Sequence, residues 1–215
     1  MNDIVVRPYR QQDRQAVRQI AWETAYLGRP GEAFFSDKEL LQDFLTAYFT
    51  DCEPQSSFVA ERKGDGVVGY LLGALDERKV GEIGGRKLLP RFLGRFLLRD
   101  IFVPKNLMFL GCMMRSCFRG EFRGEDFRDE YPAILHINLR EGARGKGAGS
   151  RLIETYLGKL RQERIKGVHL ATMTPGGTVF FEKQGFSLLS RHERTYFQCV
   201  TPEKIMVSIF GKKLI

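Results

Sequence analysis

A glycine-rich heptapeptide at residues 144–150, Arg-Gly-Lys-Gly-Ala-Gly-Ser, limits most strongly what this chain can fold into. It follows an apolar run at 133–139 and precedes a helical apolar pattern over 149–164. A strand that ends in glycines and then opens a helix directs several backbone N–H groups to one point, where the helix dipole adds partial positive charge. The sequence therefore predicts an anion-binding turn, although glycine in such a turn can also serve geometry alone.

The glycine spacing excludes two common phosphate-binding motifs. A Walker loop needs Gly-x-x-x-x-Gly-Lys-Ser/Thr, and this spacing does not occur in the chain. A dinucleotide fingerprint needs Gly-x-Gly-x-x-Gly, whereas Gly145, Gly147 and Gly149 are spaced Gly-x-Gly-x-Gly. The loop also lies late in the chain, with no second βαβ half behind it.

A second segment, Val-Phe-Phe-Glu-Lys-Gln-Gly-Phe at 179–186, predicts a short helix that ends at a glycine. Together with Arg144, Gly147 and Gly149 it resembles the two signature segments of the GNAT superfamily of acyl-CoA-dependent acetyltransferases. These are the Arg/Gln-x-x-Gly-x-Gly/Ala pyrophosphate loop and the Phe-Tyr-Glu-Lys-x-Gly-Phe helix. The close resemblance covers about residues 133–186. It implies acetyl-CoA as co-substrate and transfer of the acetyl group to a primary amine of a small molecule or peptide.

The segment at 131–139 carries a narrower and weaker resemblance. It is similar to the acetyltransferase-like domain of O-GlcNAcase and its bacterial relatives, a group in which the fold binds acetyl-CoA and catalysis is not assured. This resemblance implies an alternative function, a non-catalytic acetyl-CoA-binding module.

Length and composition predict one domain over residues 1–215. A chain of 215 residues with 43% hydrophobic content can bury a sizeable core. No apolar run reaches transmembrane length, and the N-terminus does not have the pattern of a signal peptide. The four cysteines lack metal-ligand spacing. We therefore expect a cytoplasmic protein with reduced thiols and no metal.

Hydrophobic periodicity predicts a mixed α/β domain, and the order of its elements, β-α-α-β-β-insert-β-α-β-α-β-β, is that of the GNAT fold. The second helix is expected to begin with a capping box at Ser36. The strands are predicted at 4–8, 57–62, 66–74, 133–139, 167–172, 186–192 and 204–210, and the helices at 11–25, 37–49, 149–164 and 178–184.

A long, mostly helical insert is expected at 77–131, between the third and fourth strands. Residues 78–119 hold ten basic and two acidic side chains, a difference of +8 that equals the formal net charge of the whole chain. Apolar residues between 88 and 97 recur at helical spacing, with Arg91, Arg95 and Arg99 on another face. The insert could be a lid packed on the core, a surface for an acidic substrate or partner, a homodimer contact or a peripheral-membrane helix. A nucleic-acid surface is the least favoured interpretation.

The GNAT resemblance also assigns backbone roles. The strand before the loop is expected to splay from its neighbour, so that the Leu139 N–H faces the acyl carbonyl with Ile137 alongside. Thr174 stands where the family usually has asparagine, and Phe181 where it often has tyrosine. The implied cofactor-binding residues are Ile137, Leu139, Arg144, Gly145, Lys146, Gly147, Ala148, Gly149, Ser150, Thr174 and Phe181.

Proton transfer is the least determined part of the expected chemistry. Because Phe181 has no hydroxyl, we expect Tyr196 to replace the usual acid and Glu141 to act as base, directly or through water. His136 is expected to face the side of the sheet opposite Leu139, and is not our choice as base. Glu130 and Asp126 precede the same strand and could face an amine. Phe181 is also the feature that favours the non-catalytic module, with the basic insert binding an acidic partner.

Overall fold

The computed structural model describes residues 4–214, which form seven β-strands and seven α-helices. Short 3-10 or π-helical turns flank several of the helices. The strands are β1 (Ile4–Pro8), β2 (Phe58–Arg62), β3 (Gly66–Ala74), β4 (Ala133–Leu139), β5 (Gly167–Thr172), β6 (Ser187–Arg194) and β7 (Ile205–Lys213). The helices are α1 (Arg14–Thr24), α2 (Lys38–Ala47), α3 (Glu77–Ile83), α4 (Leu89–Arg95), α5 (Pro104–Phe118), α6 (Ala148–Gln162) and α7 (Pro175–Lys183).

The predicted element order is confirmed, and the differences lie at element ends. The cap of α2 is Asp37 rather than Ser36, because the Asp37 carboxylate accepts the backbone N–H of Leu40 at 2.8 Å. Helix α7 begins three residues earlier than predicted, since Pro175 suits the first helical position and Thr174 caps it. Strand β7 extends three residues further than predicted, to Lys213, where it pairs with the start of β5.

One sheet organises the chain, with strand order β1-β2-β3-β4-β5-β7-β6. Every neighbouring pair is antiparallel except β4 and β5, which are parallel. Helix α6 covers one face of the sheet, where Leu152, Ile153 and Tyr156 are fully buried. Helix α1 covers the other face, against Tyr70 and Leu72 of β3. The parallel pair at the centre is the place where a ligand can enter a sheet that is covered on both faces.

Residues 77–131 are largely helical, as expected. Helix α4 is flanked by π-helical turns at Gly84–Leu88 and Phe96–Asp100, and a tight turn then leads into α5. Phe96 is buried and lies with Phe109 against Phe35, which follows α1. The inner side of the insert thus belongs to an aromatic cluster on the α1–α2 side of the molecule. No helix of residues 4–214 is both long enough and apolar enough to cross a membrane.

Candidate functional site

A cleft opens between β4 and β5. The two strands pair only through Ala133 with Val168 and Ile134 with His169, although β4 continues to Leu139 and β5 to Thr172. Tyr156 of α6 stands at the point of separation, and its hydroxyl donates to the carbonyl oxygens of Ala74 and Ile134, each at 2.9 Å. The strands therefore diverge from a fixed point, which confirms the expected splay.

Backbone groups of β4 point into this cleft. The Arg140 N–H donates to the Val68 carbonyl at 2.9 Å, and the register next to it pairs Gly69 with Leu139. Because hydrogen-bonded and non-hydrogen-bonded pairs alternate along an antiparallel ladder, the N–H and C=O groups of Leu139 and Ile137 point away from β3. Both N–H groups therefore face the space between the separating strands.

The loop after β4 turns through two left-handed glycines into α6. Gly145 has φ +72° and Gly147 φ +77°, and Gly147 is the residue that precedes the first turn of α6. A Cβ built on either would meet no atom within 4 Å, so glycine is needed here for its backbone conformation rather than for space. The N-terminus of a 15-residue helix, with its unpaired N–H groups, therefore opens at the mouth of the cleft.

Two other glycines keep the walls of the cleft close together. A Cβ on Gly149 would lie 3.1 Å from Cζ of Phe180 and 3.4 Å from Cδ1 of Leu139. A Cβ on Gly177, in the first turn of α7, would lie 2.2 Å from Oγ1 of Thr172. Glycine is required for this close approach at Gly177, and at Gly149 a side chain would push Phe180 aside by a few tenths of an ångström. Helices α6 and α7 thus both present their N-termini next to the ends of β4 and β5.

Two cations belong to the loop. The Arg144 Nε donates to the Leu139 carbonyl oxygen at 3.1 Å, which folds this side chain back along the end of β4. The Lys146 Nζ donates to the Gly142 carbonyl at 2.9 Å. The guanidinium of Arg144 also lies close to Gly28, a left-handed residue after α1. The loop between α1 and α2 thus borders the cleft.

A cavity of about 840 Å³ occupies the cleft. Most of the residues that the sequence assigned to cofactor binding line it, while Lys146 and Ala148 of the loop do not. Among its described lining residues Arg144 carries the one formal charge, and there is no carboxylate. The assigned residues in its wall are Ile137, Leu139, Arg144, Gly145, Gly147, Gly149, Ser150, Thr174 and Phe181.

The α7 wall is aromatic rather than hydroxylated. Phe181 is buried against Phe180, Phe186 and Phe210, so its ring belongs to the core as well as to the cavity. Thr174 accepts the Gly177 N–H at 3.1 Å through its side-chain oxygen and thereby caps α7. Neither residue offers the cavity an acidic proton of the kind that the departing thiolate of an acyl transfer needs.

His136 is the titratable residue in the cavity wall that the sequence analysis set aside. Its Nε2 lies 3.2 Å from Nδ2 of Asn138, and the same amide donates to the Tyr70 hydroxyl at 3.0 Å. Burial lowers the pKa of His136 to about 4, so the imidazole is uncharged at neutral pH. The alternation of β4 put His136 correctly on the face opposite Leu139. However, the cavity reaches both faces of the sheet at the end of β4. Its wall includes Thr24 of α1 and Leu45 of α2.

Tyr196 lies next to the cavity but does not line it. Its hydroxyl donates to the sulfur of Met173 at 3.3 Å, and Met173 is a lining residue. Its ring packs between those of Phe122 and Phe197. Burial raises the pKa of Tyr196 to about 12, so the phenol keeps its proton at neutral pH.

The acidic candidates all lie outside the cavity wall. Glu141 is exposed, on the 3-10 turn Glu141–Ala143 that precedes the loop. Glu130 pairs with Lys213 at 2.8 Å, and Asp126 with Arg128 at 2.7 Å. Among residues 4–214, no group of His, Cys, Asp and Glu side chains has an arrangement that could hold a metal ion.

The chain is similar over its whole length to several solved structures, although its sequence matches no protein-family profile. The structure of SsHAT is 26% identical, with a TM-score of 0.76 and 99% of each chain covered. The polyamine N-acetyltransferase of Drosophila melanogaster, which forms N-acetylagmatine, is 18% identical, with a TM-score of 0.62 over 99% of this chain and 100% of that chain.

A third similar structure contains the co-substrate. It is a GNAT superfamily phosphinothricin acetyltransferase from Sinorhizobium meliloti in complex with acetyl-CoA. It is 14% identical, with a TM-score of 0.59 over 99% of this chain and 89% of that chain. These similarities do not bear on the narrower resemblance to the O-GlcNAcase group. The parallel strand pair that separates, the glycine loop into α6 and the full-length structural similarity together establish that this chain has the GNAT fold.

Proposed function

We propose that this protein is an N-acetyltransferase that transfers the acetyl group of acetyl-CoA to a primary amine. The observation that carries the proposal is the separation of β4 from β5 after two residue pairs, directly beside a helix N-terminus. This arrangement supplies unpaired backbone N–H groups along one wall and a seat for an anion at one end. The acetyl-CoA complex of a structure with the same fold supports the choice of cofactor.

The residues of the cleft fit a long anionic thioester. In our proposal the N–H groups of residues 145–150 and the Arg144 guanidinium hold the pyrophosphate, since the Arg144 N–H already donates to the Glu141 carbonyl. The left-handed conformation of Gly145 and Gly147 directs the chain into α6 with its first N–H groups toward this position. The Leu139 and Ile137 N–H groups then hydrogen-bond the extended part of the cofactor and its acyl carbonyl. Thr174 and Phe181 form the opposite wall.

Acetyl-CoA supplies an acyl thioester, and the chain must stabilise the charge that develops when an amine attacks it. A backbone donor that is already directed at the carbonyl oxygen stabilises the tetrahedral oxyanion without reorganisation. The Leu139 N–H is our candidate for this donor. Arg144 fixes it in place, because its side chain binds the carbonyl of the same residue.

The amine must lose a proton, and two groups are candidates for accepting it. His136 lies in the cavity wall and is uncharged at neutral pH, but its Nε2 lone pair faces the Asn138 amide and must leave that contact before it can accept a proton. A base of such a low pKa drives proton transfer weakly, so we expect it to contribute about 10- to 100-fold to the rate. Glu141, the base expected from the sequence, lies on the solvent side of the loop and would act through water.

The departing thiolate must gain a proton, and we propose Tyr196 as its donor. The phenol is protonated at neutral pH, and its hydroxyl donates to the sulfur of Met173, which lines the cavity. Methionine is unbranched and flexible, so a change of its rotamer can expose the hydroxyl to the cleft. The role of Tyr196 therefore depends on movement of Met173.

The charge of the cavity wall favours an acceptor with a single amine. A second ammonium or a guanidinium group in this cleft would lose water without meeting a carboxylate, because no described lining residue is acidic. We therefore propose a primary monoamine with an uncharged remainder, unlike the agmatine acetylated by the Drosophila enzyme. Pentylamine and cadaverine form a matched pair for this test, since they differ only in the second amine.

The deciding experiment is calorimetric titration with acetyl-CoA, followed by a thiol-release assay of the same sample against a panel of amines. We expect binding with one site per chain, thiol release with monoamines, and at least about tenfold lower kcat/KM for cadaverine than for pentylamine. Absence of acetyl-CoA binding would contradict the whole proposal. Equal rates with both amines would contradict the acceptor class alone.

A second candidate function is the non-catalytic acetyl-CoA-binding module. The specific observation that favours it is the lack of a free proton donor near the proposed acyl position. Phe181 has no hydroxyl, and the Tyr196 hydroxyl is hydrogen-bonded to Met173. This alternative predicts tight binding of acetyl-CoA without thiol release for any amine in the panel. The same two measurements therefore separate the two functions.

A further inference from the structure

The outer side of the insert is apolar although no other part of the described structure covers it. Along α5, Leu107, Met114 and Phe118 recur at i, i+7 and i+11, which places them on one face of the helix. At the turn before α5, Leu98 is 83% exposed and Phe102 is 85% exposed. We call this surface the insert face, and it consists of Leu97, Leu98, Phe102, Leu107, Met108, Met114 and Phe118, all of them exposed.

The opposite side of the same helices is packed on the body of the protein. The Asn106 amide donates to the Asp100 carboxylate at 2.8 Å and accepts the Ser36 N–H at 2.8 Å, and both Asp100 and Asn106 are buried. Phe96 and Phe109 pack on Phe35. Because the inner side already has its partner, the insert face cannot be buried by rotating the helices onto the core.

The helices that carry the insert face, with the turns that flank them, also carry exposed positive charges without ion pairs in the described structure. Lys87, Arg91, Arg99 and Arg115 are exposed, and none of them forms an ion pair among residues 4–214. They belong to the segment 78–119, which has ten basic and two acidic residues. Seven exposed large apolar side chains within a cationic segment indicate a binding surface.

The combination of charges and apolar side chains decides between partners. A second copy of the chain would bring two cationic surfaces together, because a two-fold interface places the same patch on both sides. A nucleic-acid backbone neutralises the charge but offers no burial to Leu98, Met108 or Met114. An anionic bilayer offers both neutralisation of charge and burial of apolar groups. Its headgroups attract arginine and lysine, and its acyl boundary buries apolar side chains.

We propose that the insert face docks this protein on the surface of an anionic lipid bilayer. In this arrangement Leu98, Phe102 and Phe118 enter the acyl boundary, and Arg91, Arg99 and Arg115 lie among the headgroups. The docking that we propose is peripheral, through side chains at the surface of the insert. It does not depend on the proposed acetyl transfer.

Co-sedimentation with vesicles tests the proposal, using pure phosphatidylcholine and a mixture of phosphatidylcholine with phosphatidylserine. We expect binding to the mixed vesicles, release by added salt, and at least about tenfold weaker binding for Leu98→Glu/Phe102→Glu. Arg91→Glu/Arg99→Glu is expected to weaken binding in the same way. Val5→Glu/Met206→Glu and Lys63→Glu/Lys166→Glu are the charge-matched controls, since all four positions are exposed and lie outside the insert. Circular dichroism and acetyl-CoA titration of each variant check its fold.

Each other outcome overturns the proposal. Absence of binding to the mixed vesicles does so directly. A concentration-dependent dimer in sedimentation velocity that Leu98→Glu/Phe102→Glu abolishes, without vesicle binding, assigns the face to a second copy. Binding to DNA that the apolar variant leaves unchanged, again without vesicle binding, assigns the charge to nucleic acid. Equal binding of the controls and the insert-face variants to vesicles places the lipid contact elsewhere.

Discussion

The Arg144 Nε donates to the carbonyl oxygen of Leu139 across 3.1 Å, and this bond ties the glycine loop to the end of the strand that borders the cleft. The carbonyl and N–H of Leu139 point to the same side of β4. One of the two cationic side chains of the loop therefore also fixes the backbone donor proposed for the oxyanion. One residue thus links the seat for the phosphates to the position of the acyl group.

We predict that Arg144→Gln weakens acetyl-CoA binding by about tenfold, because a charge-assisted contact to phosphate and the bond to Leu139 are both lost. Arg144→Lys keeps the charge but cannot reproduce the planar guanidinium, so we expect an intermediate dissociation constant. Calorimetric titration measures both. Arg161→Gln, at the far end of α6, is the control and should bind as the unaltered protein does. Equal affinity of Arg144→Gln and this control would remove Arg144 from the cofactor site.

A second prediction concerns Gly147, which has a left-handed φ of +77°. A Cβ at this position would meet no atom within 4 Å. We expect Gly147→Glu to abolish acetyl-CoA binding, because a carboxylate would stand at the N-terminus of α6 where the pyrophosphate is proposed to lie. Gly147→Gln has the same size and the same backbone strain of about 1 kcal/mol, without the charge. It should bind measurably, though more weakly than the unaltered protein. Unchanged affinity of Gly147→Glu would place the phosphates elsewhere.

The element order and the glycine loop could be predicted because both are local patterns. Periodicity places the strands and helices, and the left-handed conformations of Gly145 and Gly147 are those that glycine alone adopts without strain. The splay of β4 from β5 was expected from the family resemblance. It depends on the register of strands about 30 residues apart, which no local pattern specifies.

The side-chain surroundings of the cavity could not be predicted in the same way. His136 obtains its environment from Tyr70, which is distant in the sequence and lies on the neighbouring strand. The Met173 sulfur stands between Tyr196 and the cleft, and this depends on how the segment after β6 packs. The insert was predicted to be helical and basic. Its apolar outer face could not be predicted, because helical spacing alone does not tell which of two apolar stripes packs against the core.

The low pKa of His136 predicts a pH dependence of stability. The imidazole is neutral in the folded chain down to about pH 4, whereas an unfolded chain takes up a proton near its ordinary pKa of about 6.5. The stabilisation is therefore complete above about pH 6.5 and is lost as the pH falls toward 4, by up to about 3 kcal/mol. Tyr70 does not titrate in this window, because burial raises its pKa.

Urea unfolding at a series of pH values measures this effect, with His136→Gln for comparison. The glutamine variant keeps a hydrogen-bonding side chain but has no proton to take up, so its unfolding free energy should fall less steeply between pH 6.5 and 4. Identical slopes for the two proteins would show that His136 is not held neutral by the fold. The same variant should lower kcat by about 10- to 100-fold if His136 accepts the amine proton, with unchanged affinity for acetyl-CoA.

The last prediction separates the two proton-transfer candidates that come from the sequence. Tyr196→Phe removes the hydroxyl but keeps the ring between Phe122 and Phe197, so folding and acetyl-CoA affinity should be preserved. We expect its kcat for thiol release to fall by about 100-fold, because the thiolate would leave without a donor. The Glu141 carboxylate is exposed and outside the cavity wall, so Glu141→Gln should change kcat by less than about threefold.

Single-turnover thiol release at saturating acetyl-CoA and amine measures both variants without interference from product release. A loss of acetyl-CoA affinity in Tyr196→Phe would indicate that the Tyr196 hydroxyl has a packing role and does not donate the proton. Met173→Ala is the companion variant. By removing the sulfur that holds the hydroxyl 3.3 Å away, it should leave thiol release intact or faster if Tyr196 must turn toward the cleft. If Glu141→Gln and Tyr196→Phe instead exchange their expected effects, the proton path runs through the solvent side of the loop, and Tyr196 serves only to position Met173.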